Sequence, residues 1–214
     1  MTIYEYRQII VPACILIPIF IAVSRYNNLS ACAKWLLYYL VFAATVNTTA
    51  TILTWNKEPN LWLLHIYTAV ESFFLLLYFK FIIQNKTVNS AIRLLIWVFP
   101  LFCIINFLFL QSFTNFNTYT RPVESIILIS CSAVYWWQEN EADAEKEWIN
   151  IPNNWFVTGI MLYFAGAFFL FLMANFFLSP LALKTVRNIV WDTHASFLLI
   201  MYLLMAVGFL KCRK

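Results

Sequence analysis

Residues 60–83 read NLWLLHIYTAVESFFLLLYFKFII. From Leu61 to Ile83 this stretch is long and apolar enough to cross a bilayer as a helix, which takes about 20 mostly apolar residues. It does not alternate as a barrel strand would. It also carries His65 and Glu71. An ionisable group near the middle of a spanning helix costs about 3 kcal/mol by insertion scales, so such groups usually face a packed interior or a site.

Six further apolar runs lie on either side: residues 8–24, 35–54, 91–110, 122–137, 155–178 and 190–210. With residues 61–83 they predict an all-α polytopic bundle of about seven transmembrane helices in a single domain. The first and fifth runs are the shortest. Of all residues 63% are hydrophobic and 11% charged, against about 25% charged in soluble domains. Lipid is the solvent that fits this surface. The net charge of +4 is spread over short loops, which argues against nucleic acid as a partner. The five cysteines show no paired spacing that would suggest a disulfide framework or a thiolate metal site. The first run follows no basic stretch, holds Pro12 and Pro18, and ends without a small-residue cleavage site, so it reads as a span rather than a signal peptide.

Lys and Arg set the orientation. With seven crossings, five basic residues (Arg7, Lys57, Arg121, Lys184, Arg187) share the side of the amino terminus and the other nine share the opposite side. The amino terminus is then outside and the carboxyl terminus cytoplasmic. Residues 139–147, ENEADAEKE, fall in the cytoplasmic loop 138–153 as a solvated acidic connector, or as a docking surface for a basic partner.

The polar residues are unevenly placed. At about 1.5 Å per residue, Glu71 lies roughly 15 Å below the outer end of its helix and His65 roughly 6 Å below. Glu124, Asp192 and His194 lie near the outer ends of theirs, as do Asn106 and Asn175, and Asn47, Thr48 and Thr51 occupy the outer half of the second run. Six helices thus place polar groups in the outer half of the membrane, which predicts a polar pocket there. Tyr67 and Glu71 share a helix face; His65 and Glu71 point about 120° apart by the 3.6-residue repeat. Arg121 and Glu124 are spaced to pair, and Asp192 has the character of a helix cap. The candidate ligand or proton site is therefore His65, Tyr67, Glu71, Arg121, Glu124 and His194. If a metal is held, His65, His194, Glu71 and Glu124 are the ligands available. Gly159 and Gly166, seven apart, form a small-residue seam for helix packing. Trp62-x-x-His65 and Trp191-x-x-His194 echo each other, as they would in a protein built of two triple-helix repeats around a linker helix. No nucleotide-binding motif, nucleophile elbow or zinc-protease motif occurs, and the last run has no mid-span lysine for a retinal Schiff base. No cofactor is indicated, and the balance leans away from an enzyme.

Four segments carry a resemblance: NLWLLHIYTAVE (residues 60–71), FNTYTRPVES (116–125), NWFVTGIMLYFAG (154–166) and WDTHASFLLIMYLLMAVGF (191–209). Together they resemble a family of small multi-pass membrane proteins of the Bacteroidota. The resemblance marks His65, Tyr67, Glu71, Arg121, Glu124, Trp155, Gly159, Tyr163, Gly166 and His194 as family-typical, and Asp192 as a departure. It implies no biochemical activity. Members are often encoded beside sensor histidine kinases, which implies a signalling context, the cell inner membrane as location and a histidine kinase as a possible partner. The expected function is a sensory or signal-accessory membrane protein. A metal-dependent intramembrane hydrolase and a small proton-coupled transporter are the alternatives.

Overall fold

A computed structural model of the chain describes residues 5–112, 114–141, 147–178 and 183–212. Every regular element among them is helical. Seven helices are long: α1 (Tyr6–Ser24), α2 (Ala31–Trp55), α3 (Trp62–Ile82), α4 (Lys86–Leu110), α5 (Thr120–Glu141), α6 (Pro152–Leu172) and α7 (Lys184–Lys211). All but α5 are long and apolar enough to cross a membrane. The architecture is that of a multi-pass helical membrane protein. α5 matches the others in length, with 22 residues, but Arg121, Glu124, Glu139 and Glu141 lower its hydropathy.

Local chemistry explains the boundaries. Ser30 caps α2 by accepting the Ala33 amide, and Asn85 caps α4 by accepting the amides of Thr87 and Val88. Pro152 opens α6, where its missing N–H is harmless. Residues 155–178 are not one helix: α6 stops at Leu172, and a short helix, Ala174–Leu178, follows Met173. The 138–153 connector is shorter than the apolar pattern suggests, since α5 continues to Glu141 and α6 starts at Pro152. Asp143, Glu145 and Lys146 lie outside the described residues. α7 begins at Lys184, so Asp192 sits more than two turns inside it and does not cap it.

Six helices close a ring in the order α1, α2, α3, α5, α6, α7 and back to α1, while α4 stands outside and packs chiefly on α3. α6 and α7 make the most intimate pair. At Gly159, an added Cβ would lie 3.3 Å from Leu204 Cβ and 3.4 Å from the Met201 carbonyl oxygen. The two helices also exchange aromatic rings: Phe197 of α7 fills the place of a side chain at Gly166, and Phe156 of α6 does so at Gly208, each 2.5 Å from the added atom. Small residues at such crossings let backbones approach where lipid supplies no hydrophobic drive. Gly166→Val is expected to lower stability by about 1–3 kcal/mol, as overpacking does, measured as an earlier thermal transition in detergent. A melting temperature equal to the parent's would mean that Phe197 has free room to move.

The ring is filled unevenly. Toward the carboxyl-terminal face its interior holds Leu36, Leu40, Leu75, Phe79, Phe156 and Phe209, all buried. Toward the amino-terminal face the buried groups include Thr68, Glu71, Asn117, Thr120, Arg121 and Glu124.

Candidate functional site

The polar half centres on Glu71, which is fully buried in α3. Its Oε1 accepts hydrogen bonds from the hydroxyl of Tyr39 on α2 at 2.7 Å and from that of Tyr67, one turn earlier on α3, at 2.9 Å. Its Oε2 accepts from Arg121 Nη1 on α5. The same nitrogen donates to Glu124 Oε2 at 2.6 Å, while Nη2 donates to the Tyr163 hydroxyl on α6 at 3.2 Å. That hydroxyl lies 3.2 Å from His194 Nε2 on α7. One hydrogen-bonded chain thus ties together five helices of the ring. The spacings make it possible: Tyr67 and Glu71 are i,i+4, and Arg121 and Glu124 are i,i+3.

Aromatic rings flank the guanidinium. Its central carbon lies 4.7 Å from the ring centroid of Phe171, 5.3 Å from Tyr67 and 5.7 Å from Phe164, within cation–π range. Only arginine offers both a planar face for such rings and a fork of donors for two carboxylates. Two carboxyl groups thus face one guanidinium, and Glu124 Oε1 is buried with no hydrogen-bond partner.

His65 stands apart from this cluster. Its Nε2 lies 3.2 Å from the carbonyl oxygen of Asn115, and its ring packs on Phe107. It pins the connection between α4 and α5, which folds back into the bundle. There Gln111 Nε2 donates to the Phe116 carbonyl and the Thr118 hydroxyl, and Asn117 Nδ2 donates to the Thr68 hydroxyl at 2.9 Å. Asn175 Nδ2 donates to Thr118 from the other side. Replacing His65 with Leu should therefore loosen this connection, at about 1 kcal/mol for the lost hydrogen bond. Amide exchange over residues 114–119 should rise while that of α3 below Glu71 stays unchanged. Faster exchange throughout α3 would instead place His65 in the central cluster.

Two cavities adjoin the cluster. One, of about 200 Å³, is walled by Asn47, Asn60, Tyr67, Arg121, Tyr163 and His194, among others. A larger one, of about 510 Å³, opens at the amino-terminal face beside Arg7, Arg187, Asn188 and Trp191. Asn47, His194 and Leu198 line both. At the rim of the larger cavity, Arg7 Nη1 lies 3.6 Å from Asp192 Oδ1, and Arg7 Nη2 donates to Asn188 Oδ1.

Of the residues singled out in the sequence, Tyr67, Glu71, Arg121 and Glu124 meet directly, and His194 joins through Tyr163. His65 does not join them, and the two Trp-x-x-His motifs have different surroundings: His194 packs on Tyr163, Phe171 and Trp191. Among the described residues no three His, Cys, Asp or Glu side chains gather as a metal would require. Thr48 and Thr51 do not bridge helices, because their hydroxyls bond the carbonyls one turn back in α2. The residue missed is Tyr39, which donates to Glu71. Tyr39 lies within an apolar run, and nothing local marks it as a partner of Glu71. Tyr163 was legible only through the family resemblance.

Comparisons of the chain with models of protein families, with curated proteins and with solved structures found no match.

Proposed function

We propose that this chain is a sensory or signal-accessory protein that crosses the cell inner membrane seven times, with its amino terminus outside. In this reading α5 is the seventh span: its charged first turn is sheltered inside the ring, so lipid never meets it. The outer half of the bundle receives a small molecule or a proton, and Glu71, Arg121 and Glu124 respond. The signal passes to a cytoplasmic or membrane partner, for which a histidine kinase is the candidate. The observation that carries the reading is the continuous hydrogen-bonded chain from Tyr39 through Glu71, Arg121 and Tyr163 to His194. Any change of charge at its centre acts on five helices at once, which is what a switch needs to turn a local event into a global one.

The test is hydrogen exchange of the purified chain in lipid nanodiscs across a pH series, corrected for the intrinsic pH dependence of exchange. The first turns of α5 and the middle of α3 should change protection with pH, and Glu124→Gln should abolish that change. Protection that is independent of pH in the parent chain would sink the proton-responsive reading.

A small transporter is the second reading. It rests on the arrangement of helices, in which α1–α3 and α5–α7 occupy matching arcs of the ring with α4 outside, as two triple-helix repeats and a linker would. Proton-driven uptake into liposomes that is lost in Glu71→Gln would favour it.

A further inference from the structure

The contact between α1 and α2 is the loosest in the ring that consecutive helices make, and a groove of about 490 Å³ runs along it. Its walls are mostly apolar, with Ile9, Ala13 and Leu16 on α1 facing Ala44, Ile52 and Trp55 on α2. From Ala44 to Trp55 the groove spans about 16 Å at 1.5 Å per residue, the length of a medium alkyl chain. The groove adjoins the larger cavity, for Gln8, Pro12 and Asn47 line both. That cavity is basic. Arg187 lines it, and among the described residues no carboxylate forms an ion pair with Arg187. Arg7 has Asp192 as counter-ion, yet its Nη1 is buried and makes no hydrogen bond. A mostly apolar slot therefore leads to two guanidinium groups, of which Arg7 pairs with Asp192 and Arg187 forms no ion pair among the described residues.

We infer that this continuous space takes a single-chain anionic amphiphile, such as a fatty acid or a lysophospholipid. The tail lies between α1 and α2, and the acidic head sits between Arg7 and Arg187, next to Asn47 and His194. The ligand enters sideways from the leaflet, so its tail never leaves an apolar medium. The inference rests on the proposed sensory role, and gives that site its ligand class. The head ends beside His194, the last member of the chain that leads to Arg121.

The experiment is binding of radiolabelled laurate to the purified full-length chain by a proximity assay, with three competitors. Laurate should bind saturably, one per chain. Butyrate, which has the head without the tail, and dodecanol, which has the tail without the head, should each compete at least about tenfold less well, a loss of 1.4 kcal/mol or more. Dodecyl phosphate identifies the head: preference for the phosphate means a lysophospholipid, and preference for the carboxylate means a fatty acid, and each upholds the inference. Thr48, exposed on the groove side of α2, can accept a large residue without disturbing the core. Thr48→Trp should weaken laurate about tenfold, as should Arg187→Gln. Non-saturable uptake, equal competition by dodecanol, or unchanged affinity in Thr48→Trp would overturn the inference. If laurate fails to bind while α5 still changes protection with pH, the amphiphile is lost and the proton-responsive reading stands.

Discussion

Arg121→Gln should leave the protein unable to fold at neutral pH. The substitution strands Glu71 and Glu124 together in a site that is 0% and 1% exposed. Removing one partner of a buried ion pair costs about 3–5 kcal/mol, and here one cation serves two anions, so the loss lies at the upper end. That is comparable with the whole stability of many domains. The decisive comparison is the triple variant Glu71→Gln, Arg121→Gln, Glu124→Gln, which has the same side chain at position 121 as the single variant and no charge in the cluster. It should be recovered from membranes as a monodisperse protein with a thermal transition near the parent's, whereas Arg121→Gln alone aggregates. Equal recovery of the single variant and the parent would mean that the guanidinium carries little of the bundle's stability.

Glu71→Gln should do the opposite: keep the fold and remove the response. The amide oxygen can still accept from Tyr39 and Tyr67, which lie 2.7 and 2.9 Å from the native oxygen. Arg121 keeps Glu124 as its counter-ion, so one guanidinium then faces one carboxyl group. The expected result is a melting temperature within a few degrees of the parent, together with amide protection in α3 and α5 that ignores pH. Glu71→Leu removes the acceptor as well; the Tyr39 and Tyr67 hydroxyls, 3.3 Å apart, can then satisfy one donor between them, and the donor left stranded should cost roughly 1–3 kcal/mol more. A Glu71→Gln protein that melts far below the parent yet retains its pH-dependent protection would mean that Glu71 is scaffolding alone.

How much of this was legible in the sequence follows from what each signal measures. Hydropathy reads cumulative transfer cost along a helix, so it located the apolar runs to within a few residues at most ends. It failed at Met173, where the break is a matter of backbone geometry rather than polarity. It ranks α5 lowest partly because it counts the buried Arg121 and Glu124 as if they faced lipid, alongside Glu139 and Glu141 at the other end. The expense of a buried carboxyl drew attention to Glu71, and the 3.6-residue repeat already set His65 on another face. What single-helix reasoning cannot supply is the order of helices around the ring. That order decides that Glu71 meets Arg121 rather than His194, and that Tyr163 bridges the two. It also decides that Asp192 pairs with Arg7, a contact between residues 185 positions apart that no local pattern predicts.

The place of α4 has a practical outcome. Because it rides on the outer wall of α3 and completes no part of the circle, its main task is to return the chain to the starting side, so that both triplets of helices run in the same sense. A polypeptide severed within it, and produced as two pieces in one cell, should still reassemble. The two fragments would carry Glu71 and Arg121 separately, and their reunion would draw on that attraction together with the packing of α1 against α7.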